Sequence, residues 1–168
     1  MTVLDEIEAA IPALRRYAHA LVRDRDAADD LVQDCLERAV ARLPYWRGDG
    51  PVRAWLFRIL LNRFRDTRRA GARAQLVPID RVDLPARPGS QAAHLELGEV
   101  HAAMGRLPDD QRAALLLVAV EGMTLAEAAA AMDVPEGTLA SRLGRARAAL
   151  RAMTGRAAPR RGTGEDRS

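Results

Sequence analysis

"MTLAEAAAAMDVPEGTLASRLGRARAAL", residues 123–150, carries two helix-length apolar stripes separated by a short break at Asp133 and Val134. In the first stripe Thr124 and Glu127 have the spacing of a capping box, and Leu125, Ala128, Ala129 and Met132 recur on one face. Pro135 suits the opening of a second helix, where a missing N–H has no partner to lose. There Leu139, Leu143, Ala146 and Leu150 make a narrow apolar face, while Thr138, Ser141 and Arg145 project opposite, with Arg142 at their edge. Two short helices, a tight turn and an outward cationic face predict a helix-turn-helix whose recognition helix is residues 135–151. Arginine there can pair with guanine O6 and N7 or with phosphate, and the two hydroxyls can donate to either. A solvated amphipathic helix and a purely structural hairpin are the plainer readings. A helix-turn-helix alone does not separate a repressor from an activator or a polymerase subunit.

Along the rest of the chain strand patterns are nearly absent and alanine, leucine and arginine dominate, which predicts an all-α chain. Ile11, Leu14, Ala18 and Leu21 mark a first helix with Pro12 near its start. Asp26 reads as the cap of a second helix running to about Arg42, with Ala28, Leu31 and Cys35 inward. "PYWRGDGP" (44–51) breaks the pattern, and a third helix is expected from Pro51 to Arg69, buried through Val52, Trp55, Leu56 and Ile59. Pro78, Pro85, Pro88 and Gly89 leave no sustained period, so 71–93 reads as a flexible linker averaging roughly 27 Å as a coil. Helices resume at about His94–Met104 and Pro108–Glu121, the latter closed by Gly122. The expected organisation is two small helical domains, 1–70 and 94–154, joined by the linker 71–93 and followed by a disordered tail, 155–168.

Composition removes several function classes. No stretch approaches the roughly eighteen apolar residues of a membrane span, and the N-terminus has no basic region before an apolar run, so a soluble cytoplasmic protein is expected. A single cysteine, Cys35, excludes an internal disulfide, and His19, His94 and His101 offer no metal-ligand spacing. Nothing resembles a nucleophile with a base or a phosphate-cradling glycine loop, so neither an enzyme nor a cofactor is expected. All 26 basic residues are arginine, a planar fork suited to phosphate and guanine. A net charge of +3 hides segregation: Asp24 to Glu37 holds six acids against one arginine, and Arg53 to Arg73 holds seven arginines against one acid. Such blocks suggest two kinds of partner surface.

Three stretches then carry a resemblance. "DAADDLVQDCLERAVARL" (26–43), "GPVRAWLFRILLNRFRDTRR" (50–69) and "LPDDQRAALLLVAVEGMTLAEAAAAMDVPEGTLASRLGRARAAL" (107–150) are similar, in order, to the extracytoplasmic-function (ECF) group of bacterial sigma factors. The resemblance implies that Asp30, Leu31, Gln33 and Asp34 dock on the clamp helices of the polymerase largest subunit, carboxylates and an amide around an apolar anchor. It implies that "YWRGDGPVRAW" (45–55) grips the non-template strand of the minus-ten element, where a base is flipped from the stack. Tyr45, Trp46, Arg47 and Arg53 are suitable types for that pocket, whereas Trp55 reads better as core. Arg58, Asn62, Arg63, Arg65, Arg68 and Arg69 would line the opening duplex, with Asp66 orienting a neighbour. Ser141, Arg142 and Arg145, with Thr138 beside them, would meet the minus-thirty-five element. Ala140 and Gly144 stand where relatives often place larger contacting side chains, which shifts weight to phosphates and DNA shape. The implied partners are core RNA polymerase, promoter DNA and an anti-sigma factor. A sigma mimic that sequesters an anti-sigma factor and a stand-alone repressor are the alternatives.

Overall fold

The structure, a computed structural model, describes residues 1–74 and 91–155. Its elements are α1 (Val3–Val22), α2 (Arg25–Arg42), a single 3₁₀ turn at Leu43–Tyr45, α3 (Val52–Ala74), α4 (Gln91–Arg106), α5 (Asp109–Ala119), α6 (Leu125–Met132) and α7 (Glu136–Thr154). The described residues contain no strand, and the all-α expectation holds. Helical residues at both ends of the expected linker shorten it, because α3 runs to Ala74 and α4 begins at Gln91. Residues 75–90 and the tail beyond Gly155 lie outside the described residues.

Two boundaries differ from expectation for local reasons. Helix α1 starts well before Pro12, because Thr2 and Asp5 form a reciprocal capping box that satisfies N–H groups of the first turn. Pro12 therefore sits in the helix interior, where the pattern Ile7, Ala10, Leu14, Tyr17 and Leu21 buries enough surface to override it. Helix α1 ends on Arg23, left-handed at φ 64°, which leaves Asp24 extended. Asp24, rather than Asp26, then caps α2 by accepting the Ala27 N–H at 3.1 Å. Asp26 becomes a first-turn acid facing the positive end of the helix dipole.

Helices α1, α2 and α3 pack around Leu14, Tyr17, Leu21, Cys35, Leu56 and Leu60, with the Tyr17 ring edge-on to Phe57 at 5.1 Å. Helices α4 to α7 close around Leu117, Met132, Leu139, Leu143 and Ala146. Full burial of a leucine such as Leu139 contributes about 1.5–3 kcal/mol. The two units do not stand apart. Helix α1 packs against α5 and α3 against α6, so the buried side chains form one continuous core. Gly105 on α4 belongs to this seam: a Cβ there would lie 2.5 Å from the Arg23 guanidinium, which donates to the His101 carbonyl.

Candidate nucleic-acid and polymerase interfaces

The helix-turn-helix is built as its sequence predicts. The Thr124 hydroxyl accepts the Glu127 N–H at 3.1 Å and the Glu127 carboxylate accepts the Thr124 N–H at 2.9 Å, which starts α6. Asp133, at φ 55°, stops it, and the Val134 N–H bonds back to the Ala129 carbonyl. Asp tolerates this left-handed turn better than most residues because its short carboxylate can bond locally. Helix α7 then buries Leu139, Leu143 and Ala146 and exposes Thr138, Ser141 and Arg145, together with Ala140 and Gly144. Arg142 behaves differently: it turns inward, Nη2 at 3.6 Å from Asp110, and its Nη1 is buried without a hydrogen-bond partner.

On the first unit, Tyr45 is 82% exposed at the start of the glycine loop, and Arg47 is exposed beside it. Gly48 and Gly50 hold the loop at φ 78° and 92°, values a side chain would strain. Trp46 and Trp55 are both half-buried and pack tilted against each other at 5.8 Å. Trp46 is therefore less open than its sequence context suggested. Asn62 and Arg69 are exposed on α3.

Most arginines of α3 are engaged. Arg53 donates to both the carbonyl and the carboxylate of Glu121 at 2.8 Å. Arg58 donates to the Ala130 carbonyl at 3.1 Å, Arg65 to the Met132 carbonyl at 3.1 Å, and Arg68 lies 3.2 Å from Asp109. Two of these cations thus occupy carbonyls at the C-terminal end of α6, the negative end of its dipole. Arg63 instead pairs within its own unit, with Asp34 at 2.7 Å.

Sequence reasoning missed the acceptor at the centre of this seam. The Glu121 side chain is 0% exposed and receives Arg16 as well as Arg53. The Glu121 bond is the leading cause that raises the Arg16 pKa. The signal was an acid beside Gly122 just past the end of a helix, where the dipole disfavours negative charge and a cationic partner is called for. Tyr17 and Arg112 were missed too. The Tyr17 hydroxyl, its pKa pushed up by burial, donates to the Ala113 carbonyl at 2.9 Å. Arg112 donates to the Leu21 and Leu107 carbonyls at 2.9 Å and to Asp109 at 2.8 Å, and burial lowers its pKa from the ordinary value.

On α2, Asp30 and Gln33 are exposed, and Gln33 donates to Glu37 at 3.1 Å. Leu31 is buried, so it serves the core rather than an outer surface, and Asp34 is held by Arg63. The large apolar side chain exposed on this helix is Val40. Among the described residues no group of three or more His, Cys, Asp or Glu could hold a metal ion, and no helix is long and apolar enough to cross a membrane.

Comparison with known proteins places both units. Residues 7–61 match the family model of the sigma2 domain of PhyR, and residues 97–150 match that of sigma-70 region 4. The ECF RNA polymerase sigma factor EcfG of Rhodopseudomonas palustris is 42% identical over 155 residues, 89% of this chain and 83% of the relative. The sigma factor RpoE of Bartonella quintana, solved in complex with the anti-sigma factor NepR, superposes with a TM-score of 0.77 at 33% identity. That match covers 92% of this chain and 97% of the other. The structure of CnrH in complex with the cytosolic domain of CnrY aligns with a TM-score of 0.67 at 32% identity, over 91% and 87% of the two chains.

Proposed function

The chain belongs to the extracytoplasmic-function group of RNA polymerase sigma factors, and from that premise we propose how its surfaces direct promoter-specific initiation. The recognition face of α7, Thr138, Ser141 and Arg145, meets the minus-thirty-five element. The single observation that carries this reading is their common exposure opposite the buried Leu139, Leu143 and Ala146. Arg142 joins them only after leaving Asp110. The polymerase clamp helices take the outer face of α2, through Asp30 and Gln33.

At the minus-ten element, Tyr45 and Arg47 lead into the strand, with Trp46 supported by Trp55 beneath it. Arg53, Arg58, Asn62, Arg63, Arg65, Arg68 and Arg69 follow the backbone. Melting comes from differential binding: an unstacked base and a single strand gain contacts that the closed duplex cannot make. The chain itself breaks and makes no bonds, and it works in the cytoplasm with its polymerase. Because RpoE is seen with the anti-sigma factor NepR, and CnrH with the cytosolic domain of CnrY, an anti-sigma factor is proposed here too.

The match of residues 7–61 to a PhyR domain favours a second reading, a mimic that titrates the regulator. Such a mimic needs no exposed reading face on α7. A footprint of core polymerase plus this chain on promoter DNA tests both readings. Two protected segments upstream of the start, with Arg145→Ala weakening the farther one, support the sigma reading. Protection identical with and without the chain favours the mimic.

A further inference from the structure

Four of the arginines assigned to minus-ten DNA also close the molecule. Arg53, Arg58, Arg65 and Arg68 of α3 all bond to groups on α5, α6 or the turn between them. We propose that Glu121 is a latch: its carboxylate, gripped by Arg16 and Arg53, holds the second unit over α3, so that promoter DNA and the latch compete for one set of cations.

Three observations converge on Glu121. Its carboxylate is fully buried, yet both of its ion-pair partners come from the other unit, one from α1 and one from α3. Its backbone is fixed, with its N–H on the Leu116 carbonyl at 3.1 Å, so the carboxylate is aimed by the turn rather than by a free side chain. The Tyr17 bond to Ala113 and the Arg112 bond to Leu21 cross the same seam and extend the latch along it.

The chemistry suits a reversible closure. Opening the seam returns the Glu121 carboxylate to water and recovers hydration that burial removed, which offsets part of the ion-pair energy and keeps the closure reversible. Removing the carboxylate deletes both ion pairs at once, while Arg16 and Arg53, 55% and 41% exposed, keep their water, which tips the balance towards the open form. A phosphate backbone offers the α3 arginines a replacement for each lost acceptor. Closure also leaves Arg142 Nη1 buried and unpartnered beside Asp110, itself 4.0 Å from Arg65. The recognition helix is thereby coupled to the same seam.

This inference rests on the sigma reading for its biological use, but its test needs no polymerase. Small-angle scattering on the full chain reads compactness, and binding to a short mixed-sequence DNA duplex at fixed salt reads the freed cations. Glu121→Ala and Glu121→Gln remove the charge; Arg16→Ala removes one grip from the outer side of α1 and covers the case in which a Glu121 variant fails to fold. Wild type is expected to give a radius of gyration of about 15 Å, that of a compact chain of this length. The variants that retain helicity expand by several ångströms and bind the duplex at least about tenfold more tightly, because the competent fraction rises. Unchanged scattering, or expansion with unchanged DNA affinity, overturns the latch. Absence of chain-dependent transcription with every variant, opened ones included, overturns the sigma reading instead.

Discussion

At the scale of single residues, the environment of Cys35 settles its chemistry. It is buried, its thiol donates to the Leu56 carbonyl at 3.4 Å, and burial pushes its pKa up from 9.0 to about 12. With so much less thiolate at equal pH, alkylation at pH 8 is expected to be slower than in the unfolded chain by orders of magnitude, before steric protection is added. Mass spectrometry of iodoacetamide adducts against time checks this, and labelling as fast as in urea contradicts it. The raised pKa also sets a sign. The thiol favours folding below pH 9, and that contribution is lost as pH rises towards 12. For Arg145, exposed on α7, substitution by alanine is expected to weaken promoter binding by about 1–3 kcal/mol if it reads a base. An unchanged affinity and salt slope would take it off the DNA surface. Arg145 was legible because helical spacing alone puts it opposite Leu139 and Leu143. Arg142 was not, because its inward turn depends on Asp110, a long-range neighbour.

At the scale of elements, local signals were read well where the chain satisfies its own backbone. The capping box at Thr124 and the apolar spacing of α7 required no knowledge of tertiary contacts. Thr124→Ala is expected to lower stability by about 1 kcal/mol, measured by urea melting, since it removes the acceptor for the Glu127 N–H. Leu139→Ala, at a fully buried position, should cost about 2–5 kcal/mol in the same assay and loosen the recognition helix. A loss of under about 0.5 kcal/mol for Leu139→Ala would mean that α7 is not anchored through this stripe. The start of α1 was misread because proline suggests a helix beginning, whereas burial of Ile7 and Ala10 carries the helix straight through it. Asp24 was passed over because only the left-handed Arg23 makes it the capping residue.

At the scale of the whole molecule, the two units and their order were legible, since each has its own apolar pattern and charge. Their contact was not. The seam is made of arginines, carbonyls and one buried carboxylate, residue types that also describe a solvated surface when read along the chain. Charge blocks suggested two partner surfaces without revealing that the arginine-rich block of α3 bonds to the other unit. Under the proposed function the same α3 side chains have two destinations, the neighbouring unit seen here and DNA in the initiating complex. The decisive measurement is transcription by purified core polymerase on genomic fragments, with 5′ ends mapped in the presence and absence of the chain. New start sites that require the chain and fade with Arg145→Ala are expected; a set of start sites indifferent to its addition overturns the sigma reading.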